Sequence, residues 1–440
     1  MGELHTKEVG EILRRIRKEK ALRIEDLADE HISSATISNI ERGVPHVMLE
    51  KIQYLMDLLG IDETDLKRIK EGVEQEWSFV ELELLAIETM SDVDEVDEAL
   101  KKLKEFRNIS SEHPTALLIS YIKGKCLNKK GEWEKARKEL LNAIRLSPSH
   151  PLENIEACAY CELMRQAYYT NDLEQAVRYA EKGLDAFVPE GKHEHMYDVL
   201  MVNKISCLNR LNRVGEAFSM ISEIWSRKEE IQKPSLLLLL YFLRVNLLRK
   251  TGHYEEAIET GREGIRRARM TNEYDRILLL WDSLGSVYLR LNDLKTAEVC
   301  FDFTTMVQKK VHIKDPYVST LTKHGILYMR KGDLPGAERK LEEAILLGKR
   351  SSAQLYLIDA LVIMGDLQKE KGNIEQAITY YRESLERIEG LGLNKKKHAI
   401  LFRLVKCLEG GDQQEFREQL TNMFYVQKEI SGDFSFEGIL

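Results

Sequence analysis

Residues 131–136 have the sequence GEWEKA, and the pattern of this stretch returns six more times along the chain. Each copy begins with Gly or Asn and has Ala five residues later; five of the six intervals are 40 residues and one is 41. The other copies are NDLEQA at 171–176, NRVGEA at 212–217, GHYEEA at 252–257, NDLKTA at 292–297, GDLPGA at 332–337 and GNIEQA at 372–377. Gly and Asn tolerate the left-handed conformation that follows a helix C-terminus, so each copy predicts a tight turn between two helices.

A second small residue precedes four of these turns by seven positions. These residues are Gly124, Gly285, Gly325 and Gly365. Small residues let two helices approach closely where they cross. The combined pattern resembles the tetratricopeptide repeat, whose usual length is about 34 residues, and the additional residues predict longer helices of roughly 16 to 18 residues.

The ends of the repeat array are expected to be divergent, as in other solenoids. Residues 78–107, with Ala99 in the small-residue position, predict a first hairpin, and residues 395–424, interrupted by Gly410 and Gly411, predict a last one. We therefore expect an all-α protein in which about nine hairpins from residue 78 onward form a right-handed α-solenoid.

Composition is typical of an intracellular helical protein. The 440 residues include 31% charged and 43% hydrophobic residues and only 8 prolines. The N-terminus has no apolar run that would indicate a signal peptide. The most apolar stretch, 236–243, is too short to span a bilayer. We expect a cytoplasmic protein with no membrane partner.

The sequence offers no motif of a common enzyme class. It contains no phosphate-binding P-loop, no dinucleotide-binding glycine pattern, no nucleophile elbow and no HExxH zinc motif. Only Cys158 and Cys161 among six cysteines form a CxxC, and no second ligand pair follows at zinc spacing. We expect no catalytic residue, no cofactor and no metal, and we interpret the two cysteines as core or groove lining.

The first 60 residues do not follow the repeat. Their apolar pattern predicts short helices at 7–20, 24–30, 34–42 and 49–59, with the second and third joined by a short turn. This arrangement is typical of a helix-turn-helix. The stretch I32-S33-x-x-T36-I37-S38-N39-I40-E41-R42-G43, with V9-G10-x-I12-L13-R14-x-I16-R17 before it, resembles the phage-repressor-like (Cro/C1-type) DNA-binding domain.

The resemblance implies roles for individual residues. Arg17 and Glu41 occupy positions that often form an ion pair in this family, and Ser33 is suited to cap the recognition helix. The base-edge positions implied by the family pattern are Ser34, Ala35, Thr36, Ser38 and Asn39, with Arg14 and Arg15 as further DNA contacts. Asn can bond an adenine edge twice, and small Ser, Ala and Thr permit close approach to a thymine methyl group.

Charge affects how the expected DNA-binding domain at residues 1–61, called the head below, would bind DNA. Residues 1–70 hold 12 basic and 14 acidic side chains, and the whole chain has a net charge of −8. A nearly neutral domain gains little from counterion release, so two heads on a two-fold operator are expected, and hence a homodimer. The basic cluster between Arg14 and Arg23 is also compatible with a solvated helix face.

A DNA-binding head followed by long helical repeats resembles the peptide-pheromone-responsive regulators of the Rap, NprR and PlcR group, and most closely the NprR and PlcR types, which have the head. The resemblance implies a short signalling peptide in the concave groove of the repeats, quorum sensing as the biological role, and a dimer or a higher oligomer with ligand. Repeat positions that face this groove predict the following ligand contacts: Arg165, Asn203, Phe242, Asn246, Asp282, Ser286 and Lys323. Polar residues on such a face can also be merely solvated.

The expected domains are a helix-turn-helix domain at 1–61, a linker helix at 62–77, and a repeat domain for peptide binding and dimerisation at 78–440. Two alternative functions remain open. The repeats could bind and dephosphorylate a response regulator as Rap proteins do, alone or as a second activity, with Gln75 as the candidate residue. The chain could also be a DNA-bound adaptor for another protein.

Overall fold

The computed structural model describes residues 6–44, 47–106, 115–311, 315–350, 354–411 and 413–431. Every regular element within these residues is helical, which confirms the all-α fold class. The chain forms two compact units, Met1–Leu146 and Ser147–Leu440. Among the described helices, none combines the length and the apolar character needed to cross a lipid bilayer.

Three short α-helices form the N-terminal part of the first unit: α1 (Thr6–Glu19), α2 (Ser34–Glu41) and α3 (Leu49–Leu58). Their bounds agree with the prediction to within one residue. The predicted helix at 24–30 is wrong, because only a single 3-10 turn, Glu25–Leu27, forms there. Asp29 Oδ1 accepts the backbone N–H groups of His31 and Ile32 at 2.8 and 2.9 Å, and this side-chain bonding competes with a continuing helix.

Helix α4 (Glu63–Asp92) is 30 residues long. It runs without a break through the expected linker 62–77 and into the expected first hairpin. Asp62 begins the helix in a capping box, in which its side chain accepts the N–H of Asp65 and the side chain of Asp65 accepts the N–H of Asp62. The linker and the first repeat helix are therefore one rod.

The remaining helices pair along the chain. They are α5 (Val96–Lys102), α6 (Ala116–Lys129), α7 (Trp133–Leu146), α8 (Ile155–Tyr169), α9 (Leu173–Asp185), α10 (Met196–Arg210), α11 (Val214–Ser226), α12 (Pro234–Thr251), α13 (Tyr254–Met270), α14 (Tyr274–Arg290), α15 (Leu294–Val311), α16 (Asp315–Lys331), α17 (Leu334–Lys349), α18 (Gln354–Glu370), α19 (Ile374–Ile388), α20 (Asn394–Leu408) and α21 (Gln413–Ser431). Within the described residues, α4 to α21 make nine helical hairpins, two in the first unit and seven in the second. We call the earlier helix of each hairpin its inner helix.

All seven turn residues predicted from the repeat have a positive φ, between 58° and 85°. In every turn the next backbone N–H donates to the carbonyl five residues earlier, at 2.8 to 3.0 Å, as Asp293 does to Tyr288. This six-to-one hydrogen bond is that of the Schellman motif, which satisfies a carbonyl group at the end of the first helix. The repeated Gly or Asn therefore specifies the turn between the two helices of each hairpin.

The glycines seven positions before the turns mark close helix crossings. A Cβ atom on Gly285 would lie 2.6 Å from Phe301, one on Gly325 would lie 2.6 Å from Leu341, and one on Gly365 would lie 2.5 Å from Tyr381. In each case the large partner follows the turn by nine positions. At Met164 and Ala180 the sizes are reversed, whereas Ile205 and Ile221 are both large. At the glycine crossings, the large side chain of the second helix fills the space that the glycine leaves.

Long basic side chains join successive hairpins. Three of them, Lys129, Lys250 and Arg330, lie two positions before a turn residue and reach the end of the preceding inner helix. Lys250 Nζ donates to the backbone oxygen of Asn209 at 2.9 Å, and Arg330 donates to the backbone oxygen of Leu289. Lys129 reaches the oxygen of Ser91 in the same way. Cations at the negative end of a helix satisfy its free carbonyl groups and complement its dipole.

The second unit also contacts itself across a long sequence separation. Asn171, in the turn between α8 and α9, donates to the backbone oxygen of Leu391, between α19 and α20, at 3.2 Å. Arg210 holds the amide of Asn171 by donating to its Oδ1 at 3.0 Å. The beginning and the end of this array of hairpins are therefore neighbours.

We expect Gly325→Ala to lower the free energy of unfolding by about 1–3 kcal/mol, because the new methyl group overlaps Leu341 in a packed crossing. The matched control is Gly215→Ala in the first turn of α11, where no atom lies within 4 Å of the added Cβ. That variant should be stabilised by about 0.4–1 kcal/mol. Urea unfolding of the full chain measures both changes, and equal effects of the two substitutions would contradict the crossing.

Candidate nucleic-acid interface and ligand groove

The N-terminal head is built around a continuous apolar core. Its buried members are Val9, Ile12, Leu13, Ile16, Leu27, Ile32, Ile37, Ile40, Ile52, Leu55, Met56, Leu59 and Leu66. Helices α1 and α2 cross at Gly10, where a Cβ atom would lie 2.2 Å from the backbone oxygen of Ile40. This close approach fixes the position of α2 against α1.

A buried ion pair connects the same two helices. Arg17 on α1 donates to both carboxylate oxygens of Glu41 on α2, at 2.6 and 2.9 Å. Arg17 also donates to the backbone oxygen of Leu22 at 2.8 Å. The hydrogen bond with Glu41 raises the pKa of Arg17 above its ordinary value. The pair implied by the family resemblance is thus present, and it holds α2 at a defined angle.

Helix α2 begins at the predicted cap. The Ser33 hydroxyl accepts the N–H of Thr36 at 3.2 Å. All five residues expected to face base edges are accessible: Ser34, Thr36, Ser38 and Asn39 are half-buried and Ala35 is exposed. The apolar side of the helix, with Ile37 and Ile40, lies in the core. One face of α2 is therefore polar and open.

The basic residues near this face differ in their partners. Arg14 and Arg15 are exposed on α1, and Arg15 pairs with Glu19 at 2.9 Å. Arg42, which the sequence analysis did not select, is exposed at the end of α2 and donates to Asn39 Oδ1 at 2.7 Å. Its place next to Asn39 adds a cation to the open face of α2. The motif E41-R42-G43 was the signal that could have identified it.

The hairpins bring several predicted groove residues together. Asn246 on α12 donates to the hydroxyl of Ser283 on α14 at 3.2 Å. Asp282 on α14 accepts the hydroxyl of Thr320 on α16 at 2.9 Å and is paired with Lys323. Polar contacts therefore cross three successive inner helices.

The other predicted groove residues have different surroundings. Arg165 is paired with Glu162 on its own helix at 2.9 Å, and the charge of Glu162 raises the pKa of Arg165. Asn203 is half-buried, and its side chain makes no hydrogen bond with the described residues. Ser286 donates to the backbone oxygen of Asp282, and Phe242 packs at the edge of an apolar cluster. The cations Arg165 and Lys323 are both neutralised internally, which was not predicted.

A cavity of about 260 Å³ lies beside the polar contacts of Asp282, between α14, α15 and α16. It is lined by Glu273, Asp275, Arg276, Leu278, Leu279, Asp282, Thr304, Gln308 and Thr320. Gln308 is 5% exposed, and its Nε2 has no hydrogen-bond partner. Burial lowers the pKa of Arg276. Apart from Asp282, the sequence analysis selected none of these residues, because they belong to the helix ends and to the second helix of the hairpin.

In the part of the chain that the structure describes, no group of three or more His, Cys, Asp or Glu side chains is placed to hold an ion. Cys158 and Cys161 are buried in α8, and neither forms a disulfide. They line the core, in agreement with the interpretation from the sequence.

Residues 358–389 match the tetratricopeptide repeat family. Among solved structures, the fold is similar to that of a Rap protein complexed with Competence and Sporulation Factor, with a TM-score of 0.53 and 13% identity over 78% of this chain and 99% of the other. NprR in complex with its cognate peptide NprX gives a TM-score of 0.54 and 14% identity over 79% of this chain and 97% of the other. The apo form of RapI gives a TM-score of 0.53 and 14% identity over 62% of this chain and 97% of the other. At these identities the likeness concerns the fold. A comparison of the sequence with curated proteins finds no match.

We expect Arg17→Met to destabilise the head by about 3–5 kcal/mol, because it leaves the buried Glu41 carboxylate without a partner. Replacing both residues, as Arg17→Met with Glu41→Leu, should cost less than the single change. Arg68→Gln, which removes the exposed pair with Asp65, is the control and should change stability by less than about 1 kcal/mol. Hydrogen exchange of α1 and α2 in the full chain measures the effect; equal protection in Arg17→Met and Arg68→Gln would refute the role of the pair.

Proposed function

We propose that this protein is a cytoplasmic, DNA-binding transcription regulator whose activity is switched by a short signalling peptide bound in the groove of its repeats. The observation that carries the proposal is the presence, in one chain, of an open polar face on α2 and of a repeat fold shared with two solved peptide complexes. The domains follow those expected from the sequence, with DNA binding at 1–61 and peptide binding and dimerisation at 78–440.

The chemistry of α2 supports the DNA-binding half. Asn39 offers an amide that can bond an adenine edge, and Ser34, Ala35 and Thr36 are small enough for close approach to thymine methyl groups. The first turn of α2 presents backbone N–H groups and a positive dipole end suited to a phosphate. Arg42 supplies a flexible cation beside Asn39. Because the head is nearly neutral, tight binding requires a homodimer on a two-fold operator.

The groove supports the peptide-binding half. An extended peptide has backbone donors and acceptors that need partners, and an asparagine amide provides both kinds. Asn203 has its amide available, and Asn246 lies in a network with Asp282 and Lys323 across neighbouring inner helices. The similar Rap and NprR structures are complexes with Competence and Sporulation Factor and with the peptide NprX. By this likeness, a short peptide is the ligand proposed here.

Coupling between ligand and DNA follows from the mechanics of repeats. Each hairpin contacts mainly its neighbours, so small changes of angle at each joint add up along the array. A peptide that bridges several inner helices favours one set of angles. In a dimer, or in a higher oligomer formed with ligand, these angles set the spacing of the two heads.

A second candidate is binding of a protein partner, either as a DNA-bound adaptor or as a response-regulator partner. An apolar stripe on α4 favours it: Phe79, Leu82 and Leu85 are 60%, 62% and 58% exposed. Exposed apolar patches commonly mark protein interaction sites. The Gln75 side chain, the candidate for a phosphatase role, lies outside the described part of the structure.

Native mass spectrometry of the full chain purified from its own host tests the ligand. We expect a co-purifying peptide of about 5 to 10 residues, and its addition to stripped protein should raise the melting temperature by mass action. Asp282→Asn should reduce this rise, since it removes the negative charge that pairs with Lys323. Recovery of no peptide together with a stoichiometric protein would favour the second candidate instead.

Selection of random double-stranded DNA by the purified full chain tests the head. We expect enrichment of a two-fold sequence. Asn39→Ala should weaken binding to it roughly 5- to 150-fold, corresponding to about 1–3 kcal/mol for a lost base contact. Asn422→Ala on α21 is the matched control, because Asn422 is exposed and remote in sequence from the head. Selection of no sequence would remove DNA binding from the proposal, and equal affinity of both variants would remove Asn39 from the interface.

A further inference from the structure

The cavity between α14, α15 and α16 contains a buried polar group without a partner. Gln308 on α15 lines this cavity and is only 5% exposed, and its Nε2 makes no hydrogen bond with the described residues. Another buried glutamine, Gln368 on α18, is bonded at both ends of its amide: Nε2 donates to Glu338 at 2.7 Å, and Oε1 accepts from Asn373 at 2.9 Å. Because an unpaired buried N–H costs free energy, Gln308 favours a hydrogen-bond acceptor that enters the cavity.

The rest of the cavity wall offers acceptors and an apolar surface. Thr304 donates its hydroxyl hydrogen to the backbone oxygen of Cys300, and Thr320 donates its own to Asp282, each at 2.9 Å. Each hydroxyl oxygen keeps lone pairs that can accept a further hydrogen bond. The apolar part of the wall consists of Leu278 and Leu279. A group that enters the cavity therefore finds a donor, acceptors and an apolar side.

Charge decides which kind of acceptor fits the Gln308 donor. The wall has one cation, Arg276, and three carboxylates, those of Glu273, Asp275 and Asp282. Lys323 compensates the charge of Asp282, and two carboxylates then remain for one cation. An anionic ligand group would be repelled by this excess of negative charge, and a cationic group would leave the Gln308 N–H unpaired. The group that fits is therefore neutral and carries a carbonyl oxygen.

We propose that this cavity is a subsite for a side-chain carboxamide, that of an Asn or Gln residue of the groove ligand. The carbonyl oxygen of the amide accepts from Gln308 Nε2, its NH₂ group donates to the hydroxyl oxygens of Thr304 and Thr320, and its alkyl stem contacts the two leucines. Asp282 belongs both to the cavity wall and to the polar contacts between inner helices, so the subsite lies beside the groove. The assignment of the amide to a peptide rests on the proposed function; the amide subsite itself does not.

Thermal unfolding without ligand tests whether the Gln308 amide is unpaired. Gln308→Met keeps the approximate size of the side chain and removes its amide, so it should keep or raise the melting temperature of the full chain. Gln368→Met is the matched control and should lower the melting temperature, because it leaves Glu338 and Asn373 without their partner. A lower melting temperature in Gln308→Met would show that water already satisfies this amide and would overturn the subsite.

Small probes test the chemistry of the subsite without any peptide. Butanamide, butyrate and butylammonium share one alkyl chain and differ in charge and in hydrogen bonding. Saturation-transfer difference NMR at equal millimolar concentrations should give the strongest signal for butanamide with the full chain. Gln308→Met should abolish this preference, Thr304→Val should weaken it, and Gln368→Met should keep it. Equal signals from the three probes, or an unchanged preference in Gln308→Met, overturn the subsite.

The co-purified peptide tests the assignment to a ligand residue. Replacement of its Asn or Gln by Leu should weaken binding roughly 5- to 150-fold in the native protein and little in Gln308→Met, because the buried donor is otherwise left unpaired. A peptide without Asn or Gln, or one whose side-chain amides can be replaced without loss, refutes this occupant of the cavity and leaves the proposed function standing. Selective binding of butanamide without any peptide ligand does the reverse.

Discussion

A left-handed backbone conformation at seven positions, 40 or 41 residues apart, is the constraint on which the repeat array depends. Each such residue ends one helix with a six-to-one hydrogen bond and starts the return of the chain. The return brings the residue seven positions before the turn against the residue nine positions after it. Because that contact is tight, as between Gly325 and Leu341, the two helices of a hairpin keep one relative position.

The fixed hairpins in turn place polar groups of different repeats side by side. Asp282 and Lys323 are 41 residues apart and form an ion pair, and the same separation joins Lys250 to Asn209. The repeat thus distributes charge as well as apolar contacts.

The sequence predicted the features that depend on local chemistry. The turn residues, the glycine crossings, the Ser33 cap and most helix ends required only neighbouring residues. The 3-10 turn at Glu25–Leu27 was missed because the Asp29 side chain accepts hydrogen bonds from backbone N–H groups that follow it in the chain. The spacing of apolar residues does not reveal such hydrogen bonds. Helix α4 was divided in the prediction into a linker and a first repeat helix. Its one glycine, Gly72, costs only about 1 kcal/mol in a helix and does not end it.

The groove was harder to predict than the turns. Its positions followed from repeat spacing, but the state of each charge depends on partners in other helices. Lys323 was expected to contact the ligand and is instead paired with Asp282, itself a predicted groove residue. Arg165 is paired with Glu162 three residues earlier, a spacing that puts both on one helix face and could have been noticed.

Because Asn171 donates a hydrogen bond to the backbone oxygen of Leu391, the number of hairpins between these two residues is constrained by the structure. An open array tolerates the gain or loss of a repeat, because only the two neighbours of the inserted unit change. In an array whose early turn touches a late loop, one additional hairpin between α9 and α19 would carry that loop past its partner. Evolution by duplication is thereby restricted in this segment, and change is directed to the side chains that line it.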